Sequence, residues 1–349
     1  MMAPNLWLPS IKTLKRPLRL ADSITCVIVS ISHPPNCTFL IVKVHDTQLV
    51  SSQDQQAILE QVARMLRISE RDERSLRDFH GVHAAAKERG FGRIFRSPSL
   101  FEDTIKSILL CNCRWQRTLD MCRALCELQS NLNESSRIKS VCIESAEDNT
   151  RKGLKIKQAI IVPGKTKKCA NASSHFQLSN SRVQSMGNFP SPRELASLDK
   201  DFLNARCNLG YRARNIVKLA KDVESGRLKL NKFEEAIDAA SYENVLSRLK
   251  KIKGLGTFAC ANVLMCIGFY QMVPIDTETF RHFLEVHGKE AAGSYRAIEK
   301  DVQKTYDKYG PFQSLAYWLE LLDYYENRLG KLSDLPASGY HTVSGNLLK

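Results

Sequence analysis

From Phe189 to about residue 330, apolar residues recur at helical spacing and no stretch alternates as a strand does. The helical runs break at Gly210, Gly226, Gly254-Leu255-Gly256, Gly288 and Gly310-Pro311. Such a pattern buries its apolar stripes helix against helix, so this half of the chain is expected to be all-α. Residues 100–128 also read as helix, with Ile105, Ile108, Leu109, Leu119, Met121, Leu125 and Leu128 at the apolar positions. Gly90-Phe91-Gly92 marks the boundary before them.

The start of the chain differs. Residues 24–32 (ITCVIVSIS) and 38–45 (TFLIVKVH) are β-branched and flank the turn His33-Pro34-Pro35-Asn36, which predicts an antiparallel strand pair. Ser51-Ser52-Gln53-Asp54 supplies candidate N-caps for a helix carrying Ala57, Ile58, Val62, Leu66 and Ile68. An acid-poor, basic start can be an organelle transit peptide, but Pro4, Pro9 and Pro17 interrupt any amphipathic helix there and Trp7 reads as a packing residue, so ordered N-terminal structure is expected, with an organellar address as the alternative. Residues 129–188 are rich in Ser and Asn, with ten Lys/Arg to four Asp/Glu. They read as a flexible basic insertion, in which Lys165-Thr166-Lys167-Lys168 is either a nuclear-import signal or a solvated charge run. The expected organisation is a small α+β unit over 1–90, a helical domain over 91–128 and 189–330, that insertion, and a loose tail over 331–349.

The 349 residues hold 51 Lys+Arg against 37 Asp+Glu, a formal charge of +14 that suits a polyanionic partner. No apolar run approaches the roughly 18 residues a membrane helix needs, so no membrane partner is expected. The 11 cysteines are odd in number and contain no C-x-x-C pair, which predicts reduced thiols. Cys111/Cys113 and Cys122/Cys126 lie in an apolar helical run and read as small buried hydrophobes rather than zinc ligands. No Cys follows Cys266, which argues against a C-terminal iron–sulfur cluster.

The most informative stretch is 242–287. Val245, Leu246, Leu249 and Ile252 share one helix face; Lys253-Gly254-Leu255-Gly256-Thr257 then turns the chain into a second helix. The glycines permit close approach to a partner. The turn leads into a helix N-terminus, where free N–H groups and the helix dipole favour an anion, and Lys250, Lys251 and Lys253 flank it. Beyond it, Val273-Pro274-Ile275-Asp276-Thr277 opens another helix with Phe280, Phe283 and Leu284. The plain role of Asp276 is N-cap. Its sharper role is catalytic: a carboxylate near a phosphate-gripping hairpin, stabilising positive charge on a sugar or orienting water.

Lys253-Gly254-Leu255-Gly256-Thr257 together with Val273-Pro274-Ile275-Asp276-Thr277 resembles the helix-hairpin-helix, Gly/Pro loop and aspartate (HhH-GPD) signature of base-excision DNA glycosylases. Asn208-Leu209-Gly210-Tyr211-Arg212-Ala213-Arg214-Asn215 is similar to the duplex-wedging segment of eukaryotic 8-oxoguanine glycosylases. Residues 108–114 (ILLCNCR) are similar to their first helix and asparagine loop. The strand pair and following helix resemble the TBP-like domain shared with AlkA-type enzymes. The resemblance covers most of the chain outside 129–188 and the tail. It implies an α+β TBP-like domain plus an all-α glycosylase domain, acting as a monomer on duplex DNA with a damaged base flipped into a pocket. Tyr211 would be the wedge, Arg212 and Arg214 would lie near the opposite strand, and Asn112 and Arg114 would fill the vacated space. Gly254 and Gly256, with Lys253 and Thr257, would hold a phosphate. The carbonyls of Lys250, Ile252 and Leu255 would bind a monovalent cation, with no other cofactor. Phe258, Glu278, Tyr317 and Trp318 would line the base pocket, although Tyr317 and Trp318 read equally as aromatic core.

Two departures refine the expectation. Bifunctional members carry a Schiff-base lysine where this chain has Phe258, and Lys253 lies on the other side of the turn. The 8-oxoguanine enzymes carry a histidine where this chain has Glu278. The expected activity is therefore a monofunctional N-glycosylase for an alkylated purine, in the nucleus or an organelle. The alternatives are an 8-oxoguanine-type enzyme and a non-catalytic binder of damaged DNA.

Overall fold

The computed structural model describes residues 1–45, 47, 49–147, 187–235, 241–288 and 295–344. Of the expected insertion, residues 148–186 lie outside the described residues, Lys165–Lys168 among them.

Four strands, β1 (Leu6–Leu8), β2 (Thr13–Arg19), β3 (Cys26–Ser32) and β4 (Ile41–Val44), form an antiparallel meander in chain order. The expected pair is β3–β4, with Val29 opposite Val44 and Ile31 opposite Val42. Two further strands precede it. The sequence of β2 (TLKRPLR) hides its nature because a cation and a proline sit mid-strand. Arg16 is nonetheless 1% exposed, since its guanidinium meets Glu102 at 3.1 Å and Asn5 Oδ1 at 3.1 Å. A buried charge is tolerable when paired and hydrogen-bonded in this way. Leu14, Leu18, Val29 and Ile31 pack on Ile58, Val62 and Met65 of α1 (Ser52–Leu66). Ser51 caps α1, accepting the Asp54 N–H at 3.1 Å.

α2 (Glu70–Val82) and α3 (Ala84–Glu88) follow, but Phe79 and Ala86 pack with Phe283, Phe312 and Leu315 from the far end of the chain. The run expected as one helix over 100–128 is divided into α4 (Leu100–Leu110) and α5 (Trp115–Glu147). Between them Asn112 takes the left-handed conformation (φ 48°), which Asn adopts more readily than most residues. α4 is buried from Leu100 to Leu109, including its charges: Glu102 pairs with Arg16 and Lys106, and Asp103 pairs with Arg64 at 2.9 Å. The Arg16 and Arg64 pairs join the sheet half to the helical half.

The rest is helical: α6 (Pro192–Ala196), α7 (Lys200–Cys207), α8 (Arg212–Glu224), α9 (Asn231–Glu235), α10 (Tyr242–Lys250), α11 (Thr257–Ile267), α12 (Thr277–His287), α13 (Tyr295–Tyr306) and α14 (Gln313–Leu329). α4, α5, α8, α10 and α11 share one core through Ile105, Leu125, Ile216, Leu249 and Leu264. The tail, expected to be loose, is packed as far as residue 344: Trp7 Nε1 donates to the Ser333 carbonyl at 2.6 Å and Trp115 Nε1 to the Tyr340 carbonyl at 2.7 Å. Two indole N–H groups and the buried Tyr340 ring hold what composition alone marks as a loose end.

Candidate active site

α10 and α11 form the expected hairpin. Gly254 has φ +99°, and a Cβ there would lie 2.8 Å from Asn215 Nδ2 of α8. That position requires glycine for both conformation and space. Gly256 is different: it is the N-cap of α11 at φ −79°, no side chain caps it, and nothing lies within 4 Å of an added Cβ. The hairpin thus presents an open helix N-terminus, with Lys253, Gly256 and Thr257 exposed and Phe258 half-buried.

The far end of α11 shows an arrangement that spacing did not reveal. Arg67 Nη2 donates to the Met265 carbonyl at 2.6 Å, Arg96 Nη1 to Cys266 at 2.8 Å and Arg71 Nη2 to Ile267 at 2.9 Å. Three cations, Arg67 and Arg71 from the first ninety residues and Arg96 from the segment leading into α4, satisfy the last carbonyls of the hairpin helix and complement its dipole. Burial, with the neighbouring charges of Arg67 and Arg64, pulls Arg96 down to about 10.

Asp276 is the N-cap of α12. Its Oδ1 accepts the Thr279 N–H at 2.9 Å and the Thr279 hydroxyl lies 3.1 Å away. Burial pushes this carboxyl above the usual aspartate range, with Glu278 adding to the shift and the Thr279 bonds opposing it. The plain reading of Asp276, the N-cap of α12, is what the structure shows.

Tyr317 is 3% exposed and its hydroxyl sits 3.0 Å from Thr279 Oγ1, one step from Asp276. Its neighbour Trp318 donates from Nε1 to Met265 Sδ at 3.2 Å. Trp318, Met265 and Asn262 line a cleft of about 410 Å³ with Phe91, Phe95 and Lys106. Asn262 went unnoticed in the sequence; its Nδ2 donates to the Phe258 carbonyl at 2.9 Å, one helical turn back. Of the residues expected in a base pocket, Trp318 lines this cleft and Phe258, Tyr317 and Glu278 do not; Glu278 is turned into an ion-pair network, where Arg281 Nε donates to it at 2.9 Å and the Tyr325 hydroxyl bonds it too. α12 is further held by Glu320 of α14, whose Oε1 accepts from Tyr306 at 2.7 Å, His282 at 2.9 Å and His287 at 3.0 Å. Burial works against this carboxylate, but the three donors hold it down to about 2.

The expected wedge and plug segments meet. Tyr211 is 57% exposed, and Asn112, Arg114 and Arg214 are exposed beside it in their segments. Arg212 is not a surface group: it is 3% exposed, bonds the carbonyls of Cys111 and, at 3.1 Å, Asn112, and lies 4.7 Å from the Tyr211 ring centroid. In this state it clips the 111–114 loop to the start of α8, since two carbonyls with no helical donor suit a guanidinium fork.

Comparison with protein-family models and with the sequences of curated proteins finds no match. Solved structures do match. The 3-methyladenine DNA glycosylase from Archaeoglobus fulgidus superposes with a TM-score of 0.56 at 17% identity, over 92% of this chain and 90% of that one. The Clostridium acetobutylicum 8-oxoguanine glycosylase/lyase, in complex with dsDNA containing cytosine opposite 8-oxoG, gives 0.53 at 12% identity over 93% and 87%. MBOgg1 in complex with a low affinity DNA ligand gives 0.52 at 17% identity over 92% and 86%. Over more than nine-tenths of its length, this chain has the fold of the solved DNA glycosylases.

Proposed function

We propose that this protein is a base-excision DNA glycosylase that flips a damaged purine, most plainly an alkylated one, from duplex DNA and hydrolyses its glycosidic bond. The carrying observation is Asp276: a half-buried carboxylate whose Oδ1 is fixed by Thr279, at the start of the helix that follows the hairpin. Water oxygen bonds to the sugar C1′, the C1′–N bond breaks with its electron pair leaving on the base, and Asp276 faces the cationic sugar and takes the water proton. Gly256 and the open turn before α11 receive a backbone phosphate. A monovalent cation at the Lys250, Ile252 and Leu255 carbonyls belongs to the same reading. The Ile252 carbonyl accepts the Leu255 N–H at 3.1 Å and has a second lone pair for it.

Absence of a lyase step is supported by two side chains. Phe258 offers no amine. Lys106 lines the cleft, but Glu102 at 2.6 Å holds it above the ordinary lysine range despite its burial, so it stays charged and non-nucleophilic. The TBP-like reading of the sheet half is part of this proposal. The test is base release from duplexes each bearing 3-methyladenine, 7-methylguanine, hypoxanthine, 8-oxoguanine or uracil. Free base from a methylpurine duplex, with strand breakage only after hot alkali, supports the proposal. Nicking without alkali together with a borohydride-trapped adduct defeats the monofunctional reading. Affinity without base release from any duplex leaves a DNA-binding relative.

A further inference from the structure

Behind the hairpin lies a second cleft of about 520 Å³ between α8 and the end of α10. Its floor is apolar, from Leu219, Phe233 and Ile252, and its rim is cationic. Lys218 and Arg227 stand on one wall; Arg248, Lys251 and Lys253 stand on the other. The carboxylate among the lining residues is Asp222, already neutralised by Lys218 at 2.9 Å and Arg227 at 2.8 Å. Arg248 lies 4.4 Å from the Phe233 ring centroid, and no carboxylate among the described residues pairs with Arg248, Lys251 or Lys253. Five cations converge on a groove that holds one spent anion, an arrangement that attracts a polyanion.

We propose that this groove is a second phosphate-binding site, which takes the DNA strand onward from the hairpin. The inference rests on the reading that the hairpin itself grips DNA. Continuity selects this occupant over an acidic peptide. Lys251, Ile252 and Lys253 form one wall and run directly into Gly254, so a strand held at Gly256 passes the groove as it leaves. Arg248 stands one turn of α10 earlier, about 4.5 Å further along, in line with the next phosphates.

The test is the salt dependence of binding to an undamaged duplex, read by fluorescence anisotropy, for wild type and for Lys218→Ala/Arg227→Ala/Lys251→Ala. Each lost phosphate contact lowers the slope of log K against log[salt] by about 0.9, so the triple variant is expected to lose about two to three units. Charge-conserving Lys218→Arg/Arg227→Lys/Lys251→Arg keeps the wild-type slope, which separates charge loss from misfolding. Parallel slopes for wild type and the alanine variant overturn the proposal. So does tight binding of poly-glutamate by wild type, abolished in the alanine variant while DNA slopes stay parallel; that outcome assigns the groove to an acidic protein. A wild type without salt-dependent DNA binding overturns the hairpin reading, and the groove with it.

Discussion

The Tyr317 hydroxyl lies 3.0 Å from Thr279 Oγ1, and Thr279 in turn holds Asp276 by its backbone N–H at 2.9 Å. A buried tyrosine on α14 thus fixes the aspartate that opens α12. Tyr317→Phe keeps the ring and removes this bond, worth about 1 kcal/mol. Single-turnover base release is expected to fall about 5-fold, while affinity for undamaged duplex stays as it is. A parallel fall in both would show that Tyr317 supports the whole interface.

Asp276→Asn should abolish base release and retain DNA binding. In wild type the acid limb of the rate profile should lie above pH 3.8, the ordinary aspartate value, because burial raises this carboxyl. The sign for stability runs the same way. A carboxyl raised in the fold favours its protonated form there, so stability is lost as pH rises through the window above 3.8. Asn caps helices as well as Asp and carries no charge, so the variant should melt no lower than wild type at pH 7 by calorimetry.

The two hairpin glycines should separate folding from binding. Gly254→Ala places a methyl 2.8 Å from Asn215 Nδ2 at φ +99° and should cost about 1–3 kcal/mol in denaturant unfolding. Gly256→Ala meets nothing within 4 Å at φ −79° and should change stability by less than about 0.5 kcal/mol. Its methyl crowds the open helix N-terminus, so duplex affinity should drop about tenfold, roughly 1.4 kcal/mol. Equal affinity for Gly256→Ala and wild type would remove the phosphate from that turn.

Glu320→Gln should expose an acid-sensitive clamp. A carboxyl near 2 in the fold and near 4.5 unfolded contributes stability above pH 4.5 that is lost as pH falls toward 2. The variant should unfold more easily than wild type at pH 7, and the gap should narrow between pH 4.5 and 3. Urea titrations at these pH values measure it.

What the sequence made legible was local. Gly254-Leu255-Gly256 and the Asp276 cap are turn chemistry within a few residues, and both are found where their spacing puts them. The Ser51 cap of α1 is the same kind of signal. What escaped depends on partners far along the chain. β2 reads as a poor strand until Glu102, 86 residues on, satisfies Arg16. Arg212 reads as a surface cation until Cys111, 101 residues back, presents its carbonyl. The tail reads as loose until Trp7 and Trp115 reach its carbonyls.

The arginines at the end of α11 carry a mechanical consequence. Any load placed on Gly256 is transmitted along a rod of eleven residues, about 16 Å, to Arg67, Arg71 and Arg96. The sheet half is therefore an abutment of the hairpin, and a helical fragment cut free of it would leave the Met265 and Ile267 carbonyls without their donors. Gly268 marks how closely that seat is fitted: a methyl there would fall 2.3 Å from Arg71 Nη2.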